Sequence, residues 1–338
     1  TMDWIFLSII IGVLISLALT PLFIKIQRKR NIGQKIRMDG PKSHSVKAGT
    51  PTMGGLVFIL SSTVSFAVVT LIKYYRHNVF SKEGIFVMSV FLICSLVGFI
   101  DDYIALKKQR SLGLRGWMKI SLLVVICLYF IIVSKYVLNI STCLSIPLTS
   151  VNLELGNWYY VLVTLIIVGT ANAVNLTDGL DGLAAGSSSI VLGVFCFISF
   201  LEWLIFDINY GIDIAVICGG TVAACIGFLW WNTAPAEIFM GDTGSFSLGG
   251  LIAAVAIILK QEILLIVIGG IFVMEALSVI IQVIWFKIFK RRVFKMAPIH
   301  HHFELCGWQE IKIIIRFWLI CALFSGLGFF MYYIKFID

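Results

Sequence analysis

Ten mostly apolar stretches, at roughly 4–24, 52–72, 85–100, 118–138, 158–174, 187–206, 213–231, 245–259, 263–286 and 313–334, leave this 338-residue chain little choice of solvent. A helix needs about 20 such residues to cross the hydrocarbon of a bilayer. Within that hydrocarbon the backbone must satisfy its own N–H and C=O groups, so stretches of this length are expected to be helices. The expected fold is all-α, a polytopic bundle of about ten transmembrane helices forming a single membrane domain over 1–338. With 59% hydrophobic and 13% charged residues and a mean hydropathy of +1.00, the composition excludes an ordinary soluble domain, where roughly a quarter of residues are charged.

Charge placement orients the bundle. If the N-terminus lies outside, 20 of the 26 Lys and Arg residues fall in 25–47, 107–119 and 287–316, all on the cytoplasmic side. That agrees with the positive-inside rule and puts both termini outside the cell. The first stretch has no basic segment before it and runs into a basic loop, so it is expected to be a retained helix rather than a cleaved signal. The formal net charge of +8 then describes a basic cytoplasmic face suited to anionic lipid or phosphorylated substrates. Nucleic acid is not an expected partner, because no soluble domain is present to hold it. Six of the eight cysteines, Cys94, Cys127, Cys196, Cys218, Cys225 and Cys321, lie within the apolar stretches as small hydrophobes. No disulfide framework or zinc spacing emerges.

The polar residues most in need of an explanation are aspartates at the ends of those stretches, because a carboxylate beside hydrocarbon is costly without a partner, a metal or water. Asp101 and Asp102 are adjacent, so on a helix they point about 100° apart, and one can ligate a metal while the other takes a proton or braces a lysine. Lys119 and Arg115 follow as diphosphate contacts or as interfacial anchors. Asn175, Asp178 and Asp181 are spaced three apart, which on a helix sets them along one face. Such a set can cap a loop or hold Mg²⁺ and a phosphorylated nucleotide through oxygen ligands. Asp242 stands between glycines at the start of a span, preceded by Asn232 and by Phe239, an aromatic able to stack on a base or to pack at the interface.

Two further clusters fall on the same face. At 47–55, Lys47, Thr50, Thr52 and three glycines read as an anion cradle or as the turn that starts a helix. His300, His301 and His302 are consecutive, so they cannot all face one ion on a regular helix; imidazoles reaching phosphate or sugar hydroxyls suit them better than zinc. Glu275 lies mid-span and is expected to face the bundle, neutral or hydrogen-bonded, far in depth from the aspartates.

Taken in order, GTPTMGG at 49–55, the Asp101–Asp102 pair, NAVNLTDGLDGLA at 172–184, FMGDTGS at 239–245 and PIHHHFE at 298–304 resemble the phospho-N-acetylmuramoyl-pentapeptide transferases, a branch of the polyprenyl-phosphate N-acetylhexosamine-1-phosphate transferase superfamily. The resemblance implies transfer of phospho-MurNAc-pentapeptide from UDP-MurNAc-pentapeptide to undecaprenyl phosphate, yielding lipid I and UMP for peptidoglycan synthesis. It also implies Mg²⁺ as cofactor, a homodimer, and a multi-pass protein of the bacterial plasma membrane with its active site on the cytoplasmic face. Carried over by position, Asp242 is the Mg²⁺ ligand, Asp101 and Asp102 are the catalytic acidic pair, and Asp101 is a candidate base for the lipid phosphate. Asn175, Asp178, Asp181, Asn232 and Phe239 bind the uridine side or brace the metal; Lys47, Thr52, Lys119, His300, His301 and His302 hold phosphates and sugar. Two other readings remain: a sister enzyme transferring N-acetylglucosamine 1-phosphate, and a polytopic lipid or ion transporter. Against the transporter, the acids gather on one face and no internal repeat is evident.

Overall fold

The computed structural model describes residues 2–30, 33, 49–78, 80–109, 113–149 and 151–334. Each of the ten apolar stretches gives a helix long and apolar enough to cross a membrane: α1 (Met2–Lys29), α2 (Gly55–His77), α3 (Lys82–Lys107), α4 (Gly116–Tyr136), α5 (Trp158–Thr177), α6 (Leu183–Phe206), α7 (Gly211–Asn232), α8 (Gly241–Ile258), α10 (Gly270–Phe289) and α12 (Glu310–Ile334). The ninth stretch is not one continuous helix. It breaks at Gly269, leaving a short α9 (Glu262–Ile268) ahead of α10, where two successive glycines weaken helix propensity and a side chain at Gly270 would collide with the Phe324 ring. Two small elements depart from the sequence reading. A short antiparallel hairpin, β1 (Cys143–Ser145) with β2 (Asn152–Glu154), stands in the loop before α5, and α11 (Ile299–Leu305) carries the histidines. Strands of three residues are too short for a readable period.

Helices α7 and α8 form the centre. In their most apolar windows 83% and 89% of residues are buried, against 22% in α1, α4 and α10, which present their flanks to the surroundings. Helix α7 packs along α1, α2 and α6, and α8 lies between α3 and α5. Lipid tails are as apolar as leucine, so close packing depends on small residues and interhelical hydrogen bonds. At the α1–α7 seam, a Cβ on Gly12 would lie 2.5 Å from the Gly220 carbonyl oxygen. Beside it Ser8 Oγ donates to the Val216 carbonyl at 2.8 Å, and Ser16 Oγ to that of Ala224 at 2.7 Å.

Successive long helices run in opposite directions. The C-terminal ends of α1, α3, α5 and α7 therefore meet the N-terminal ends of α2, α4, α6, α8 and α12 at one end of the bundle, joined by the hydrogen bonds described below. All the acidic clusters read from the sequence lie at this end. The opposite end holds its own buried polar groups, the Lys73–Asp213 ion pair at 2.5 Å and the Tyr159–Glu262–Lys260 group.

Candidate active site

The start of α8 organises the site. Gly241 has φ +76°, a left-handed conformation that glycine adopts without a Cβ penalty, and a Cβ here would sit 2.5 Å from Asp102 Oδ2. With that space left open, the Asp102 carboxylate reaches the exposed N–H groups of the helix. Asp102 Oδ1 accepts from the Asp242 amide at 3.1 Å, and Oδ2 accepts from the Thr243 amide at 2.9 Å and the Thr243 hydroxyl at 2.6 Å. A carboxylate at a helix N-terminus satisfies orphan donors and complements the helix dipole. Asp101, one step round α3, faces elsewhere: Oδ1 accepts from the Leu114 amide at 2.7 Å and lies 3.2 Å from Lys119 Nζ. The two neighbours thus do different work, Asp102 holding α8 and Asp101 facing the cation.

Asp242 completes the centre. Its Oδ2 lies 2.5 Å from Lys119 Nζ, and its Oδ1 accepts from Asn175 Nδ2 at 2.8 Å. The same Asn175 nitrogen donates to Ser245 Oγ at 2.9 Å. Carboxylate oxygens of Asp101, Asp102 and Asp242 all lie within 4.8 Å of one another. The Asp242 side chain is 24% exposed against 7% for Asp101, so Asp242 is the more open to an incoming ligand. Close by, the Asp178 carboxyl is pushed well above the usual carboxylate range, first by burial and then by the charges of Asp242, Asp102 and Asp181. One ammonium against this many carboxylates leaves an excess of negative charge. An all-oxygen donor set with that excess fits a hard divalent cation, and Lys119 Nζ already marks a position between Asp101 and Asp242 where positive charge is stabilised.

Around this centre lie three loops. The first runs from α5 to α6. Helix α5 ends at Thr177, Asp178 is its C-cap, and Gly182 enters α6 with φ +76°. Asn175, Asp178 and Asp181 therefore do not share one helical face as their spacing suggested; the chain turns between them. Asp181 Oδ2 accepts from the Ala236 amide at 2.9 Å, and the Asp181 amide donates to Glu310 Oε1 at 3.1 Å, which ties this turn to the second loop and to α12.

The second loop, between α7 and α8, is braced by Asn232, 3% exposed, whose Nδ2 donates to the Ile238 carbonyl at 2.8 Å. It pairs with the segment before α2. The Phe239 amide donates to the Pro51 carbonyl at 2.8 Å, and the Gly54 and Gly55 amides donate to the carbonyls of Phe239 and Met240, each at 2.9 Å. The glycine amides that read as an anion cradle are thus committed to holding two loops together. Thr52 is buried beside them, its carbonyl accepting from Gln27 Nε2 at 3.3 Å, and Phe239 is half-buried. Lys47 lies outside the described residues.

The third loop carries the histidines, which face three different ways. His300 is fully buried, with Nδ1 3.0 Å from Glu275 Oε1, while Glu275 Oε2 accepts from the Ile299 amide at 3.1 Å. His301 Nδ1 lies 2.6 Å from Glu304 Oε2, and His302 Nδ1 accepts from the Lys295 amide at 3.1 Å. Glu275 faces the bundle and is hydrogen-bonded, as expected, but it is not remote from the cluster, because α11 folds back onto α10. Sequence reasoning passed over Thr243, Ser245 and Glu310. The first two sit inside the FMGDTGS stretch, and the third is an acid in the first turn of a helix.

The bundle carries its clustered acidic centre at one membrane-side end, and residues 84–260 match the family described as Glycosyl transferase family 4, which sets the chain among membrane-embedded transferases. Residues 47–59 match phospho-N-acetylmuramoyl-pentapeptide-transferase signature 1. Over 321 residues, 95% of this chain and 95% of each relative, the sequence is 48% identical to the phospho-N-acetylmuramoyl-pentapeptide-transferases of Bacillus anthracis (strain A0248), Bacillus thuringiensis (strain Al Hakam) and Bacillus cereus (strain AH187). The chain belongs to the phospho-N-acetylmuramoyl-pentapeptide-transferase family.

Proposed function

We propose that the protein transfers phospho-MurNAc-pentapeptide from UDP-MurNAc-pentapeptide to undecaprenyl phosphate, forming lipid I and releasing UMP on the cytoplasmic face of a bacterial plasma membrane. The observation that carries this reading is the grouping of Asp101, Asp102, Asp242 and Lys119 at one end of a membrane-spanning bundle, where a lipid phosphate and a soluble nucleotide can meet. The basic stretches 25–47, 107–119 and 287–316 support that end as the cytoplasmic one.

The chemistry joins two anions, so charge neutralisation and positioning should dominate the catalysis. Asp242 is the residue to hold Mg²⁺, which when bound would neutralise the diphosphate and stabilise departing UMP. Asp102 keeps the Asp242 backbone in place through the start of α8, and Asn175 fixes the Asp242 carboxylate. An oxygen of the lipid phosphate attacks the sugar-linked phosphorus, the bond from that phosphorus to the bridging oxygen breaks, and UMP leaves with the bridging oxygen. A phosphate monoester is already anionic near neutral pH, so direct attack needs little help from a base, and Asp101 serves to orient Lys119 and accept any residual proton. Lys119 supplies the compact positive charge for phosphate oxygens. Asp178, Asp181, Asn232 and Phe239 surround the uridine side, while Thr52, His301 and His302 line the approach for phosphate and sugar.

Purified protein given undecaprenyl phosphate with either UDP-MurNAc-pentapeptide or UDP-N-acetylglucosamine tests the reading. UMP release with the first donor only is expected; release with the second only would assign the chain the sister specificity. A phosphorylated aspartate trapped with the donor alone would replace direct attack by a two-step route.

A further inference from the structure

Glu275 has no part in the chemistry above, yet it is among the most heavily buried acids in the bundle, with no exposed surface. An acid at such a depth in a membrane helix is costly unless it is engaged. Here both of its oxygens are used on the histidine segment. Oε2 accepts from the amide of Ile299, the first residue of α11, and Oε1 meets His300 Nδ1 at 3.0 Å. One carboxylate thus holds the backbone and the ring together.

The other ring nitrogen is the informative one. His300 Nε2 is buried and has no hydrogen-bond partner among the described residues. It lies against the turn between Asp178 and Asp181, where a Cβ on Gly179 would be only 2.2 Å from Nε2. A carboxylate at Nδ1 favours a proton on that nitrogen, which leaves Nε2 as a bare acceptor. A protonated ring would instead strand a charged donor at Nε2, the more costly kind of unsatisfied group.

We infer that Glu275 is a positioning residue, which presents the Nε2 lone pair of His300 to accept a hydrogen bond from a hydroxyl or amide N–H of the nucleotide-sugar donor. The inference rests on the transferase reading and adds a specific contact to it. The contact requires a donor seated along Asp178 and Asp181 to part the seam between α11 and the 178–181 turn, because His300 has no exposed surface and its Nε2 packs against Gly179.

Glu275→Gln is the sharpest perturbation because it keeps the shape. Its amide oxygen must still accept from Ile299, so its NH₂ faces His300 Nδ1, turns that nitrogen into an acceptor and moves the ring proton to Nε2. In protein carrying ¹⁵N-labelled histidine, with the His300 signals assigned by their loss in His300→Asn, wild type should show a protonated Nδ1 and a bare Nε2. Glu275→Gln should exchange the two, and UMP release should fall about 10- to 100-fold, as for other carboxylates that orient a functional histidine. In the His300→Asn background the same change should add less than about twofold, because both act through one group. An unchanged tautomer in Glu275→Gln, or losses that multiply, would overturn the inference. Should Glu275→Gln not fold, UDP-MurNAc-pentapeptide added to wild type decides: a shift of the Nε2 signal supports the contact, and an unmoved one refutes it. Wild type that releases no UMP at all would sink the transferase reading while leaving the tautomer result standing.

Discussion

Asp102→Asn tests the division of labour between the adjacent aspartates. In the structure, Asp102 accepts from two backbone amides and one hydroxyl at the start of α8. An asparagine keeps one oxygen, best used on Thr243, and turns an NH₂ toward the Asp242 amide, leaving two donors face to face in a site 9% exposed. One unsatisfied buried N–H costs about 1–3 kcal/mol, and loss of the negative charge at the helix start costs about 0.3–1 kcal/mol, up to about 2 when partly buried. The start of α8 should therefore loosen by about 2–4 kcal/mol, which at 1.4 kcal/mol per decade means about 30- to 700-fold faster amide exchange at Asp242 and Thr243. Hydrogen–deuterium exchange on a peptide covering 239–245 reads this directly. Asp101→Asn should speed exchange in the same peptide far less, since Asp101 accepts from the Leu114 amide and meets Asp242 only through its side chain and Lys119, not through the backbone of α8. Faster exchange in Asp101→Asn with none in Asp102→Asn would refute the assignment.

Other consequences are equally concrete. Lys119→Met removes the ammonium competing for Asp101 and Asp242; bound Mn²⁺, followed by electron paramagnetic resonance, should be held more tightly, while UMP release falls about 10²–10³-fold, and weaker metal binding would show that Lys119 assists the cation rather than competing with it. Gly98→Ala places a Cβ 2.1 Å from the Asp242 carbonyl oxygen, so thermal unfolding in detergent should show a loss of about 1–3 kcal/mol; wild-type stability would mean that α3 and α8 are not in close contact. Asp178, raised in the fold, contributes stability that is present below the ordinary carboxylate range and is lost as pH rises through its folded value. In EDTA, Asp178→Asn should therefore gain thermal stability over wild type increasingly as pH rises above the ordinary carboxylate range, and a constant difference would contradict the raised value.

The membrane helices were readable in the sequence because hydrocarbon admits few backbone solutions. All ten stretches became helices, and only the Gly269–Gly270 pair interrupts one. The adjacency of Asp101 and Asp102 foretold that they would point apart, since that follows from helix geometry alone. What they point at did not follow, because it depends on α8 arriving beside α3 with Gly241 open to the carboxylate. The three-residue spacing from Asn175 to Asp181 misled for a related reason: it fits a helix, but α5 ends at Thr177 and the glycines flanking Leu180–Asp181 favour a turn. The glycines at 54 and 55 looked free for an anion, yet their amides pair with a segment almost 200 residues away, a long-range contact with no local signature. The Glu275–His300 bond was hidden in the same way, across 25 residues and a chain reversal.

The central claim is that the cluster around Asp242 performs a cation-dependent transfer to a lipid phosphate. The most direct measurement is UMP release from UDP-MurNAc-pentapeptide by the detergent-purified protein and by Asp242→Asn, with and without undecaprenyl phosphate, in Mg²⁺ and in EDTA. The expected result is release by wild type only when lipid and Mg²⁺ are both present, and none by a well-folded Asp242→Asn. Near-normal release by that variant, or by wild type in EDTA, would contradict it.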